Sequence, residues 1–479
     1  MSNFMTFCRP VRSALVAVCV LAGAACSGGR SGGTSSSTST TVVGGGTAAS
    51  TAPAHPRGGS ARVGVWGEPN PDGATLGAAA VRSLVLPQLF VAGPDGTWSP
   101  SLVVPGSDGS AADNRSATLR LRPDAVWSNG SPITADDLRR SADGRFVAGV
   151  DGPTADGTLT VRFTQALPGW RRLWSGTDVV TAPEAGVWGG PFVLGSYVPG
   201  LEAVLKANDR WYGGRAYLDE VRLVLVPDAT IARQLLAKGE VDVVMPPAST
   251  VRTRQLQAVP GVSVATAKAG GWWVGLLLRP GGLSQSQRAA VVAGVDRAAF
   301  VGTLLQGEAT VLNGLGAGPG GGSGGAWMGL GPGGGALRGT TVDLVGELEE
   351  PMTSTLQRSM QKHAHPAGSR LELRNAEADR VEGWLAEGSY QAAVVMQYDS
   401  PAPCWTCRWS SVDEPLARAA DADPAAVGAL EAKLRDEALV LPLWRPVPVV
   451  AWRDGLGGVR ANGYALSAAW NAWEWWRGD

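Results

Sequence analysis

Residues 190–245 read GPFVLGSYVPGLEAVLKANDRWYGGRAYLDEVRLVLVPDATIARQLLAKGEVDVVM, and their pattern decides the fold class. Val221, Leu223 and Leu225 alternate with Arg222 and Val224, the period of a strand with one well-buried face. Asp228 then sits where an N-cap belongs. Ile231 and Leu235 fall one helical turn apart with Ala232 and Leu236 beside them, and Gly239 follows Lys238 as a C-terminal stop. Val241 and Val243 next alternate with Glu240 and Asp242. Strand, helix and strand make a βαβ unit whose crossover is expected to be right-handed. Two shorter alternating runs and the turn Trp211-Tyr212-Gly213-Gly214 lead into it.

The same alternation of elements continues on both sides. Upstream, Arg62–Trp66 reads as a strand, Leu84–Leu89 as an apolar helical stretch and Thr118–Arg122 as a strand. Asn129-Gly130 makes a tight turn before a helix capped by Thr134 with Asp137 three residues on. Downstream, Gly271–Leu278 reads as a buried strand, and Ser284 caps a helix running through Arg288, Val291, Val292, Val295, Asp296 and Phe300. From Thr341 strands at 342–345, 371–373 and 392–397 alternate with helices through Leu356 and Met360 and through Val381, Trp384 and Leu385. A last helix has Asp423 as cap and Pro424 in its first turn; 439–443 and 448–452 read as closing strands. This order implies a second α/β lobe.

A chain of 479 residues, 44% of them hydrophobic, is long enough for two or three domains. Its net charge of −1 gives no electrostatic case for a nucleic-acid partner. The N-terminus reads as a targeting segment: Arg9 and Arg12 precede an apolar run from Ala14 to Ala22, too short to span a bilayer. Leu21-Ala-Gly-Ala-Ala-Cys26 resembles a bacterial lipobox, with Gly23 where a large aliphatic residue is usual. Residues 1–25 are therefore expected to be a signal peptide, Cys26 a lipid-carrying first residue, and the Gly/Ser/Thr-rich stretch through 60 a flexible tether with a reach on the order of 30 Å.

Several ordered blocks resemble one family. The apolar GPF strand, Asn208-Asp-Arg-Trp-Tyr-Gly-Gly214, Tyr217-Leu-Asp-Glu-Val221, Pro227-Asp-Ala229 and Gly239-Glu-Val-Asp-Val243 are similar, in that order, to the signature of family 5 extracellular solute-binding proteins, the peptide- and nickel-binding receptors of ABC importers. Thr118–Asp137 and Ala293-Gly-Val-Asp-Arg297 resemble further blocks of that family. The resemblance implies a two-lobed type II periplasmic-binding-protein fold with mixed, mainly parallel sheets and a hinge of two crossing segments. Lobe I is expected at 61–268 plus 440–479 and lobe II at 269–439. The stretch up to about Trp188 is short for the family, so the small extra domain of some relatives is expected to be trimmed.

The implied function is a lipid-anchored, extracytoplasmic, monomeric receptor. It would capture a peptide or similar small polar solute and dock on ABC permease subunits in the membrane, with no cofactor, no resident metal and no catalysis. In peptide-binding relatives an aspartate in the strand-to-loop segment matching Asp399 pairs with the ligand's α-ammonium group; the other reading of Asp399 is the start of an Asp-Ser-Pro turn. Trp272, Trp273, Trp405 and Trp409 are candidates for lining the cleft or for the core, and the tail Trp470–Trp476 for packing lobe I.

Cys404-Trp-Thr-Cys407 reads as a local disulfide, a redox pair or half a metal site, and an exported protein with no other mature cysteine besides Cys26 favours the disulfide. His363 and His365 between a helix and a proline read as solvated. Gly316–Gly321 and Gly321–Gly325 match the dinucleotide and nucleophile-elbow patterns but lack the strand before and helix after that give those motifs their mechanism. A degenerate, non-transporting lipoprotein with a sensing role and an envelope hydrolase are the alternatives from other classes; the absence of a nucleophile setting argues against the hydrolase.

Overall fold

The structure, a computed structural model, describes residues 55–478 other than 74, 143, 177–178, 247–252, 269, 304, 316–335, 347–351, 365–367, 377 and 399–403. The leader, Cys26, both glycine-rich motif matches, His365 and Asp399 lie outside the described residues. The tether expected through 60 gives way earlier to the folded lobe. His55 stacks on Trp476 with ring centroids 4.5 Å apart, Gly58 N–H donates to Tyr217 at 2.8 Å, and Ser60 opens the first strand.

The first sheet has seven strands. From edge to edge these are Val262–Thr266, Val449–Arg453, Val243–Val244, Ser60–Trp66, Glu220–Val226, Glu202–Ala207 and Phe192–Val198. The βαβ unit forms as its sequence dictates. Asp228 accepts the Ile231 N–H at 2.7 Å, the helix runs Ala229–Lys238, and Gly239 ends it in the left-handed region at φ 73°. An N-cap of this kind contributes about 1 kcal/mol. Its two strands do not touch each other, because Ser60–Trp66 lies between them and pairs in parallel with both. Ala61, Val63 and Val65 thereby enter the lobe core beside Val221, Leu223 and Val243.

The second sheet has six strands in the order Ala309–Val311, Val440–Pro446, Trp272–Leu278, Ala392–Tyr398, Thr341–Gly346 and Arg370–Asn375. Both sheets are mixed, but parallel pairing is confined to strand 60–66 with its two neighbours and to strand 341–346 with its two. Every other pair in these two sheets is antiparallel, which corrects the mainly parallel expectation. Parallel neighbours need a crossover connection, whereas hairpins and strands that return from the other lobe pair antiparallel.

Strand 440–446 pairs with 272–278 in the second sheet, and 449–453 pairs in the first. The return crossing therefore falls at Val447-Pro448 and not after 439. The outgoing crossing, after Thr266, runs beside it: the Ala267 N–H donates to the Pro448 carbonyl at 2.9 Å. The helix expected from Ser284 through Phe300 is two helices. Gln285–Ala293 begins at Ser284, whose hydroxyl accepts the Gln287 N–H at 3.2 Å, and ends at Gly294; Arg297–Thr303 follows, with Asp296 accepting the Ala299 N–H at 2.9 Å.

The extra domain of the first lobe is present, contrary to the expectation of trimming. Strands Gly109–Ser110, Ser116–Arg120, Thr158–Phe163 and Val147–Asp151 form an antiparallel sheet, with helix Ala135–Ser141 beginning at Thr134, whose N–H donates to Asp137 at 2.7 Å. The unit has its own core, in which Trp127, Trp170 and Trp174 are fully buried around Leu119, Leu138 and Val161. The tryptophan-rich tail packs the first lobe as expected: Trp475 is fully buried there and donates its indole N–H to Asn471 at 3.0 Å.

Candidate functional site

A cleft with about 40 Å3 of water-accessible space opens where the lobes and the return crossing meet. The first lobe supplies Gly64, Val65 and Trp66 at the carboxyl end of its central strand, Leu76 at the start of the following helix, and Leu466–Ala468. Met245 and Pro246, just past the end of strand 243–244, and Pro446–Pro448 at the return crossing form the back wall. Trp272 and Met396 come from the second lobe. Two parallel strands of one sheet thus end at the cleft, the position at which open α/β sheets hold ligands. The location follows from the insertion of strand 60–66, which the spacing of the quoted stretch does not reveal.

Strand alternation separates the two adjacent tryptophans. Trp272 lines the cleft, its indole N–H donates to the Ala465 carbonyl at 2.9 Å, and its ring lies 5.0 Å from that of Tyr398. Tyr398 in turn donates its hydroxyl to the Tyr464 carbonyl at 2.7 Å, so two aromatic residues of the second lobe hold the 464–465 segment of the first. Trp273 points the other way and is buried in the second-lobe core. Trp405 and Trp409 are buried in the same core, on helix Trp405–Ala422. Of the four candidate tryptophans the structure brings Trp272 to the cleft and corrects the other three: apolar surface on this lobe's sheet and helices takes them inward.

The backbone is tightest beside Trp272. A Cβ placed on Gly270 would lie 2.2 Å from the Gly463 carbonyl, and Gly271 N–H donates to that carbonyl at 2.8 Å. Only glycine admits so close an approach of two segments.

A second meeting of the lobes lies at the rim, between the extra domain and helix 405–422. Arg145 donates to the Thr406 carbonyl at 2.8 Å, Arg418 donates to the Gln165 side chain at 2.8 Å, and Arg172 stands 3.8 Å from Asp421. The Asp421 side chain is 0% exposed and that of Arg172 10%, so this pair is withdrawn from water. Asp421 also accepts the N–H groups of Trp405 at 2.7 Å and Thr406 at 3.0 Å, together with the Thr406 hydroxyl, and so satisfies the first turn of its own helix. None of these residues stands out in the sequence, because the partners are separated by some 250 positions and belong to no local pattern.

Cys404 is disulfide-bonded, whereas the Cys407 side chain lies outside the described residues. Among the described residues no group of three or more His, Cys, Asp or Glu side chains is placed to hold a metal ion, and no helix is long and apolar enough to cross a membrane.

The two α/β lobes, the paired crossings and the cleft between them give the chain the two-lobed fold of periplasmic binding proteins. Residues 106–326, just under half of the chain, match the model of the middle region of the bacterial extracellular solute-binding proteins, family 5. The chain is 26% identical over 266 residues to the oligopeptide-binding protein OppA of Mycobacterium tuberculosis, a match covering 47% of this chain and 44% of that protein. The matched part is thus under half the length of that curated relative. In fold the chain resembles the periplasmic EDTA-binding protein EppA, at a TM-score of 0.75 and 19% identity over 89% of this chain and 97% of the other. It also resembles the oligopeptide-binding protein AppA of Bacillus subtilis, solved with a nonapeptide, at a TM-score of 0.74 and 15% identity over 89% of this chain and 100% of the other.

Proposed function

We propose that the protein captures a peptide or similar small solute between its lobes and delivers it to ABC permease subunits in the membrane, acting by binding and not by catalysis. The observation that carries this reading is the cleft itself, which sits at the carboxyl ends of two parallel strands and takes its walls from both lobes and the return crossing. A ligand that bridges such walls stabilises the closed arrangement by its differential affinity for it, and the closed form is what a permease distinguishes from the open one. The names of the oligopeptide-binding relatives OppA and AppA support a peptide as cargo.

The finer assignments belong to the same reading. Asp399 follows the strand that ends at Tyr398 and pairs with a ligand ammonium group; Trp272 forms part of the ligand wall; Cys404 and Cys407 are joined to each other; Cys26 carries a lipid that anchors a monomeric receptor outside the cytoplasm. Peptide pools added to the purified protein test the capture directly. A raised Tm with peptide recovered by mass spectrometry supports transport cargo, and no stabilisation by any pool counts against it. Unchanged affinity in Asp399→Asn would end the ammonium assignment, and lipid labelling that persists in Cys26→Ser would end the anchor.

A further inference from the structure

The wall of the cleft is apolar, and most of the polar groups it does have are already engaged. Trp66, Leu76, Met245, Trp272, Met396 and Leu466 supply its side-chain surface, and no Asp, Glu, Lys, Arg or His is among the described residues lining it. The back wall is poor in backbone donors: Pro246, Pro446 and Pro448 have no N–H, and the N–H of Val447 donates to the Glu308 carbonyl at 3.2 Å. The indole N–H of Trp272 is held by Ala465 at 2.9 Å, and the Ser467 oxygen accepts the Ala469 N–H at 3.3 Å. Among the described residues lining the cleft, the side-chain donors that remain for a ligand are the Ser467 hydroxyl and the indole N–H of Trp66, both neutral.

A charged group brought against this wall would lose its hydration and find no ionic partner in exchange, whereas an aliphatic or aromatic group would exchange water for apolar contact. The two methionines add tolerance, since the flexible thioether side chain refills gaps around differently shaped apolar groups. We propose that this recess binds an uncharged, apolar group of the captured solute, an aliphatic or aromatic side chain, and discriminates against a charged group at the same position. The proposal rests on the cleft being the solute site and adds the chemistry that the site selects. Charged ends of the same solute are then recognised outside this wall.

Calorimetric titration of the full chain tests it, with tetrapeptides of the form Ala-Ala-Xaa-Ala in which Xaa is leucine, phenylalanine, lysine or glutamate, and with indole as a small neutral probe. The leucine and phenylalanine peptides are expected to bind at least tenfold more tightly than the lysine and glutamate ones. Met396→Glu is expected to weaken the apolar peptides at least tenfold and to narrow their lead over the lysine peptide. Met396→Gln, which adds polarity without charge, serves if the glutamate variant does not fold, with a loss of several-fold expected. Charged peptides binding as tightly as apolar ones would overturn the recess proposal and leave peptide capture standing. Indole binding that Met396→Glu abolishes, with no peptide bound, would support the recess and remove peptide capture. Neither indole nor any peptide binding would overturn both.

Discussion

Among the described residues the lobes meet at the hinge wall and at the rim, and these two regions are built from opposite chemistry. At the hinge the cleft is walled by Trp66, Met245, Trp272 and Met396, with three prolines behind them and no described ionisable side chain. At the rim the contact is made by arginines, a glutamine side chain, a backbone carbonyl and a carboxylate. Apolar contact is proportional to area and indifferent to angle, so the hinge wall tolerates small rotations of the lobes. Hydrogen bonds and buried ion pairs are directional and fail steeply when geometry slips. In the proposed capture by closure, the rim would set how far the lobes close, and the hinge wall would adapt to what lies between them.

The largest expected effect comes from the rim. Asp421→Ala removes the carboxylate facing Arg172 and leaves the N–H groups of Trp405 and Thr406 unmet, a loss of about 3 kcal/mol in urea unfolding. Asp421→Asn, which keeps one acceptor oxygen, is expected to lose less; equal losses in the two variants would show that the helix turn does not depend on this acceptor. Next, Gly270→Ala forces a methyl group to within 2.2 Å of the Gly463 carbonyl, and a loss of about 2 kcal/mol with a lowered Tm is expected. The matched control is Gly383→Ala, within helix Ala378–Glu387 where an added Cβ meets nothing within 4 Å, expected to gain about 1 kcal/mol. A similar response at both glycines would break the contrast between a packed crossing and an open helix face.

Smaller effects sharpen the comparison. Trp272→Phe keeps the apolar wall but loses the N–H to Ala465, and about 1 kcal/mol of stability is expected to go with it while an apolar ligand still binds. At the edge of the rim, Arg418 is 51% exposed, so Arg418→Ala is expected to cost under about 1 kcal/mol in chemical denaturation despite its bond to Gln165. A loss there as large as that of Asp421→Ala would mean that exposure does not grade the rim contacts.

Much of this architecture is legible in the chain, and the limits are physical. Asp228, Gly239, Thr134 with Asp137, and Ser284 announce helix ends because caps are local chemistry, written within four residues of the backbone groups they satisfy. Strand neighbours are not local. Nothing between Val221 and Val243 says that Ser60–Trp66 will lie between their strands, and the cleft stands at the end of that inserted strand. Helix 405–422 escapes a reading of its periodicity for a different reason: Pro415 lies inside it and Asp413 takes a non-helical backbone at φ −155°, which breaks the apolar repeat midway. Strand alternation does show that Trp272 and Trp273 face opposite ways, but which face meets the cleft depends on the sheet's two sides being covered, by the core on one and by residues 464–465 on the other. The rim is the least legible part, since Arg145, Arg172 and Asp421 become a cluster only where the fold brings together residues some 250 positions apart.

A solute held between the lobes is expected to stabilise their closed arrangement. Small-angle X-ray scattering of the protein, stripped of ligand by unfolding and refolding and then titrated with the tightest-binding peptide, tests this most directly. A smaller radius of gyration is expected at saturation, with the stripped Asp421→Ala variant more extended than the stripped native chain. A radius unchanged between stripped and saturated protein, with binding verified in the same sample, would contradict it.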